Sequence, residues 1–550
     1  MLKRIFVSFL LSLGIPVSSV EPGASHPFRQ FLDAFIPKVS SKAKQVNKAF
    51  WLLETTGSPD AADLVASLSA ESALLFNDLQ TYQQLLAWDK DPAIQDPVLK
   101  RQLNVLIRSF KANAIPEDLL REIAEKEAAL SLAYSNFRAT LQGKTVSENE
   151  ILDRLKNEQD PSIRKETWAA SKQIGSFLAP KILELVCLRN KAAKSLGYKN
   201  YFEMQLDLQE VDEKALFTLL NNLASQSDEI YTKTIQTIQE LQAKRFSVSV
   251  EELGPWAWSE PFCQEDPINT AQLDSLVSQT DLSDAGLQFY QRMGIDVEPI
   301  LKRSDMFERP GKNQHAFCIN IDRTSDVRTL NNVKPTIKWL ETVFHELGHG
   351  VYELGLGQDL PWLLRSPPHM ITTEAMALLA GRRAYLRDSL SKLSTYSSSQ
   401  DALIEEAEES LKRRQLIFSR WVLVMTYFEK ALYENPDQDL NGLWWSLVAK
   451  YQKINPPKER EGKQDWAAKY HIGLAPVYYY SYLLGELFAS EIEVAILKAT
   501  GSKELETSKA GLFLQEKLFA PGDLLPWAQL TEQVSGHPLS AEAWLSQFVK

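Results

Sequence analysis

Four long stretches of this chain repeat apolar residues every three or four positions, and that period governs what the chain can fold into. They are "DAADLVASLSAESALLFNDLQTYQQLLAW", "PEDLLREIAEKEAALSLAYSNFRATL", "EKALFTLLNNLASQSDEIYTKTIQTIQELQAKRF" and "SQDALIEEAEESLKRRQLIFSRWVLVMTYFEKALYE". A period near 3.6 lines one face of a helix, whereas a half-buried strand alternates apolar and polar residues. Asp or Ser at the starts and Gly, Pro or Asn near the ends supply caps. Strand signals are scarce. The best is "HAFCINID", His315 to Asp322, after the turn-like "RPGKNQ". No fixed-period repeat and no Gly/Ser- or Pro-rich linker divides the chain. The expectation is one large, mainly α-helical catalytic unit over residues 20–550.

Residues 1–19 are set apart. Lys3 and Arg4 precede an apolar run from Ile5 to Val17, short for a membrane span, and Val17 and Ser19 are placed for a signal-peptidase cut. This reads as a cleaved secretory signal on a secreted or periplasmic protein, with no stable membrane insertion afterwards. The formal net charge of -11 argues against nucleic acid or an anionic membrane as the main partner. Cys187, Cys263 and Cys318 are widely spaced, contain no C-x-x-C and allow at most one disulfide.

The chemistry concentrates in "ETVFHELGHGVYELG", Glu341 to Gly355. On a helix His345 and His349 share a face one turn apart, so both imidazoles can reach one tetrahedral zinc. Glu346 adjoins the first of them, where a carboxylate can take a proton from a water that the metal has acidified. The chain has only seven histidines, so two of them bracketing a glutamate at this spacing is informative. Val343, Phe344, Leu347 and Val351 make the helix apolar, and two imidazoles buried there need partners. Gly348 and Gly350 allow close approach.

A third ligand comes from elsewhere. The metzincin continuation needs Gly and His where Tyr352 and Gly355 stand. Glu353 continues the same face but lies ~12 Å along the axis from His345, too far to share an ion. After a connecting loop, "ITTEAMALLAGRRAYL" begins a second helix, and Glu374 falls in its first turn, 25 residues beyond His349. A carboxylate beside an apolar run is costly unless it is paired or on a metal. Glu374 is favoured as ligand; His369 competes with it, and a dipole-stabilising role for Glu374 is the alternative.

"HELGH" followed by "TTEA" resembles the gluzincin peptidases of the angiotensin-converting-enzyme family, most closely its bacterial members, with thimet oligopeptidase and oligoendopeptidase F as distant relatives. Agreement covers most of the C-terminal half, and "RNKAAKSLGYKNYFEMQL" extends a weaker likeness upstream. The resemblance implies a two-lobed α-helical ellipsoid with a deep central cleft, one zinc, and short peptides as substrates. "HAFCINIDR" matches the family's His-Ala strand 30 residues before the first zinc histidine. It implies that His315 contacts substrate and that the Ala316 backbone pairs with it by β-augmentation. "AAKYHIGLAPVYYYSYLLGELFAS" matches the family's Lys-x-His and tyrosines. It implies that Lys469 and Tyr478 hold a peptide carboxylate and that His471 and Tyr482 stabilise an oxyanion. Tyr479 and Tyr480 are the alternative tyrosines, since the spacing differs by one residue.

Two positions depart from the family pattern. Trp258 in "PWAWSEPF" stands where the family has a carboxylate-binding Gln. The family's chloride-binding arginine has no clear counterpart, so chloride is left without support. The resulting expectation is a zinc peptidase releasing C-terminal dipeptides. An oligoendopeptidase indifferent to the C-terminus is the first alternative. A catalytically inert peptide-binding protein with structural zinc is the second, and the presence of Glu346 argues against it.

Overall fold

The computed structural model describes residues 26–268 and 271–550, so the signal segment expected at residues 1–19 lies outside the described part. The fold is mainly α, and the β structure of the described residues is two antiparallel two-stranded sheets. The third and fourth quoted stretches become helices of 34 residues each, Glu213–Phe246 and Asp401–Glu434. The first breaks into Pro59–Leu74 and Leu79–Asp89, because the Asp78 carboxylate accepts from Gln80 N at 3.0 Å and caps a new helix. The second is helical to Asn136, and its end enters a hairpin of β1 (Ala139–Leu141) and β2 (Lys144–Val146). Gln142 and Gly143 turn it with φ of 51° and 74°, the left-handed pair that a two-residue hairpin requires. Periodicity does not announce this hairpin, since three-residue strands are too short to show alternation.

The predicted strand at His315 to Asp322 is shorter in the fold. β3 (Phe317–Asn320) pairs with β4 (Val327–Leu330), with Phe317 opposite Leu330 and Asn320 opposite Val327. His315 and Ala316 lie just before it, where His315 N donates to Asn313 Oδ1 at 2.8 Å in a local turn. At the other end Asn320 Oδ1 accepts from Arg323 N at 2.8 Å and turns the chain away. Among the described residues β3 has one neighbouring strand; on its other edge Asn47 Nδ2 donates to Asn320 O at 3.0 Å, and no strand pairs there.

Five helices surround the site: α1 (Pro27–Thr56), α2 (Ile337–Gly355), α3 (Met370–Arg382), α4 (Asp401–Glu434) and α5 (Tyr480–Thr500). Two large apolar cores flank them, and α3, α4 and α5 run through both. Ile371, Leu416 and Leu484 belong to one core; Ala375, Leu411 and Phe488 belong to the other. A smaller core of Phe28, Leu85, Leu103 and Phe110 unites the N-terminal helices. α1 covers β3 through Phe50 and Trp51, whose rings lie 5.4 and 6.1 Å from Phe317. The three cysteines are free thiols.

The crossing of α2 over α3 depends on a missing side chain. A Cβ on Gly348 would sit 2.7 Å from Ala377 Cα and 3.2 Å from its N. Only glycine allows the two backbones this close, and the approach brings the first turn of α3 beside the histidines of α2. Overpacking of a close contact costs roughly 1–3 kcal/mol. Gly348→Ala is therefore expected to lower stability by that amount in chemical denaturation and to weaken metal retention. Wild-type stability in the variant would mean that the crossing is not close-packed.

Candidate metal centre

The exposed side of α2 is a narrow ridge. Glu341, His345, His349 and Glu353 follow at four-residue intervals and are all partly accessible, while Val343, Phe344, Leu347 and Val351 between them are buried. Four-residue steps keep side chains on nearly one line of a 3.6-residue helix. Glu346 points off the ridge and is buried.

α3 brings Glu374 to the middle of this ridge. Its Oε2 lies 3.7 Å from His345 Nε2 and 3.9 Å from His349 Nε2. Among the described residues these three form the group able to hold a metal ion, with ligand atoms all within 4.8 Å of one another. Two imidazole nitrogens and one carboxylate oxygen are a zinc donor set. Tetrahedral bonds of ~2.0–2.1 Å would need donors about 3.4 Å apart, so a small inward rotation of the side chains completes the fit.

The surroundings favour the same assignment. Burial lowers the pKa of His345 to about 4, with Glu341 opposing the shift, and holds His349 well below its ordinary value. Both imidazoles are thus in the neutral, ligating form. His349 Nδ1 lies 2.7 Å from Thr373 Oγ1. With Nδ1–H donating to this hydroxyl, the Nε2 lone pair is directed at Glu374. Burial, then the neighbouring Glu486, raises Glu374 to about 7. Burial, then Glu374, raises Glu346 to about 8. A divalent cation here would return carboxylates to their ionised form.

The shell behind the ligands is charged and well bonded. Glu341 accepts from Arg414 at 2.8 and 3.0 Å, from Lys338 at 3.0 Å and from the Tyr385 hydroxyl at 3.1 Å. Burial would raise this carboxyl, but Arg414 and Lys338 outweigh it and hold the pKa near 2. Behind Glu374, Glu486 accepts from Arg382 Nε and from Gln415 Nε2, both at 2.8 Å. Gly485 lets α5 pack here, since a Cβ on it would lie 3.1 Å from Glu374 Cβ.

The more distant candidates separate into two groups. Lys469 Nζ donates to Gln264 Oε1 at 3.1 Å, and the Tyr479 hydroxyl donates to the same oxygen at 3.3 Å. Lys469 is buried, which lowers its pKa to about 8 against the opposing pull of Glu260. The His471 ring packs edge-on to Tyr479 at 4.9 Å, and its Nδ1 is buried with no hydrogen-bond partner among the described residues. Tyr478 and Tyr482 form the other group. Their rings are 5.2 Å apart, both are half-buried, and burial followed by the charge of Glu374 raises both pKa values. Lys469 therefore shares its partner with Tyr479, while Tyr478 lies with Tyr482 and Glu374. Tyr480 is buried and donates to Gln209 Oε1 at 2.8 Å. His315 is exposed, and Ala316 is half-buried at the start of β3. His369 caps α3, its Nδ1 accepting from Ile371 N at 3.0 Å.

Gln264 was not among the residues singled out from sequence. Trp258, at the position compared with the family glutamine, is buried and offers its carbonyl to Arg164 at 2.7 Å. Gln264, six residues later in an irregular loop, reaches Lys469 instead. An uncharged residue in a loop without periodicity carries no local signal of that role.

A partly buried His-His-Glu cluster with a further glutamate on the helix of the histidines fits a metallopeptidase-type centre. Two family models match the chain in complementary parts: "Angiotensin-converting enzyme" over residues 24–243 and "Peptidase family M3" over residues 301–550. Together the two matches support a zinc metallopeptidase of the angiotensin-converting-enzyme-like and M3 kind. It is similar to the angiotensin-converting enzyme-like protein Ace3 of Mus musculus, 24% identical over 82% of this chain and 66% of the relative. It is also similar to the angiotensin-converting enzymes of Mesocricetus auratus (23% identical, 94% of this chain, 42% of the relative) and Haematobia irritans exigua (22%, 85% and 83%). The chain thus spans less than half the length of the hamster relative and about two-thirds of Ace3.

Thr373→Val keeps the side-chain shape and removes the partner of His349 Nδ1. Loss of such a contact typically costs 10–100-fold in metal affinity. Zinc competition against a chromogenic chelator is expected to show a fall in that range. An unchanged affinity would mean that the hydroxyl does not orient the ring.

Proposed function

We propose that this protein is a zinc peptidase acting on short peptides and releasing C-terminal dipeptides. The observation that carries the reading is Glu346, a carboxyl buried beside the His345–His349–Glu374 cluster, where neither a structural metal site nor a helix core calls for one. Zinc held by His345, His349 and Glu374 would supply Lewis acidity toward the scissile carbonyl and acidify a water.

The chain's own groups divide the remaining work. Glu346 takes the proton of the attacking water and delivers it to the leaving amine. His471, kept neutral by burial, offers an N–H, and Tyr482 offers its hydroxyl, to the oxygen that becomes negative. The edge of β3 that no strand pairs, entered at His315 and Ala316, can pair with an extended peptide. Lys469 and Tyr479 converge on Gln264 Oε1, where a substrate's C-terminal carboxylate would meet a cation and a hydroxyl together. Tyr478 is left as a wall of the site beside Tyr482. The N-terminal pattern of residues 1–19 supports secretion or a periplasmic location.

The second reading is an oligoendopeptidase that ignores the C-terminus. The match of the M3 model to residues 301–550, which include the metal centre, favours it. Paired peptides with a free or amidated C-terminus discriminate. Dipeptide release predicts at least about tenfold lower kcat/KM for the amide, as for loss of a charged hydrogen-bond partner, and Lys469→Ala removes most of that difference. Equal cleavage of both forms would establish the endopeptidase. Glu346→Gln is expected to lower kcat by ~10²–10⁴ with zinc retained; a fully active variant would refute the assigned base.

A further inference from the structure

Glu353 is the carboxyl of the α2 ridge that has no ion pair within 4 Å among the described residues; the charge of Arg323 reaches it from farther off. Glu341, at the opposite end, is neutralised by Arg414 and Lys338. Glu353 has a single hydrogen bond, from Asn320 Nδ2 at 2.8 Å, and no ion pair within 4 Å among the described residues. It is half-buried, and burial raises its pKa against the opposing effects of Asn320 and Arg323. Arg323, the nearby cation, offsets Glu353 in part without touching it: its guanidinium stacks 4.3 Å over the Trp362 ring, and Nη1 donates to Trp362 O at 3.3 Å. Asp322, the next acidic group, pairs with Lys44 at 3.3 Å.

The ridge has a direction. The loop carrying Gln264 continues into Glu265 and Asp266, which face Arg414 and Arg413 of α4, and Arg414 holds Glu341. The carboxylate-holding group of Lys469, Gln264 and Tyr479 therefore adjoins the Glu341 end. β3 runs alongside, with Cys318 facing Glu346 and Asn320 bonded to Glu353. A peptide antiparallel to β3, with its C-terminus at Lys469, would carry its N-terminal side past Asn320 and Glu353. One turn separates His349 from Glu353, ~6 Å along the axis, or about two residues of extended chain.

We propose that Glu353, positioned by Asn320, is a specificity residue that selects a cationic group about two residues before the scissile bond. The cation is a lysine or arginine side chain, or the α-ammonium of a peptide that begins there. This rests on the peptidase reading and on the assignment of the carboxylate end.

The test uses peptides with free C-termini that differ only two residues before the cleaved bond, as Lys, Ala or Glu, each with a free or acetylated N-terminus. The expected order of kcat/KM is Lys above Ala above Glu, with Lys about tenfold over Ala. Glu353→Gln keeps an acceptor for Asn320 and is expected to bring the Lys-to-Ala ratio toward one. Acetylation separates the sources. A ratio that survives it identifies the side chain, and a loss confined to peptides beginning at that position identifies the ammonium. A wild-type ratio near one, or a ratio unchanged in Glu353→Gln, would overturn the proposal while leaving the peptidase reading intact. If no peptide is cut, the peptidase reading fails. Calorimetry of the same peptides on zinc-loaded Glu346→Gln then decides the cation preference, which equal Lys and Ala affinities would refute.

Discussion

Two imidazoles and two carboxyls are withdrawn from water in one small volume where α2 crosses α3, and the rest of the structure is arranged around that cost. Desolvation pushes the histidines toward their neutral form and raises Glu346 and Glu374. An apolar core does not tolerate such a set by itself. A divalent cation would resolve it, because neutral imidazoles and an ionised carboxylate are what zinc requires. With a metal bound there, its affinity and folding stability would be coupled at this crossing for the same reason.

The scaffold supplies closeness and rigidity. Gly348 brings α2 against α3, and Gly485 brings α5 against Glu374, so three helices meet with little side chain between them. Because α3, α4 and α5 each run through both apolar cores, a shift at the metal centre would disturb packing on either side. Charged pairs lie one layer farther out. Arg414 with Glu341 and Arg382 with Glu486 hold the helices that carry His345 and Glu374. Buried pairs of this kind are weak evidence of stability, but they fix the angles at which ligands are presented.

The elements proposed to face substrate follow another logic. β3 is short and pairs with one strand among the described residues, covered on one face by α1, whose Asn47 also bonds Asn320 O, and backed on the other by α2. Along α2 the charge pattern is asymmetric, with Glu341 neutralised and Glu353 held by a single amide. That difference arises from what packs at the two ends of the helix, Arg414 and Lys338 beside Glu341 and Asn320 beside Glu353.

Much of the candidate metal cluster was legible in the sequence. The four-residue spacing of His345 and His349, the adjacent Glu346 and the early-helix position of Glu374 each follow from local helix geometry. The long helices were legible because apolar periodicity persists over many turns. The β1–β2 hairpin was not, because three-residue strands show no period, and the break at Asp78 was hidden by a cap inside a continuous periodic stretch. The sequence by itself determined a mainly helical chain and the candidate ligands of one metal. Only the tertiary structure decided that Tyr479 rather than Tyr478 shares Gln264 with Lys469, and that Gln264 takes part at all. Local spacing specifies neighbours along one helix, whereas contacts among a loop near residue 264, a turn near 469 and the start of α5 exist only once the cores pack them together.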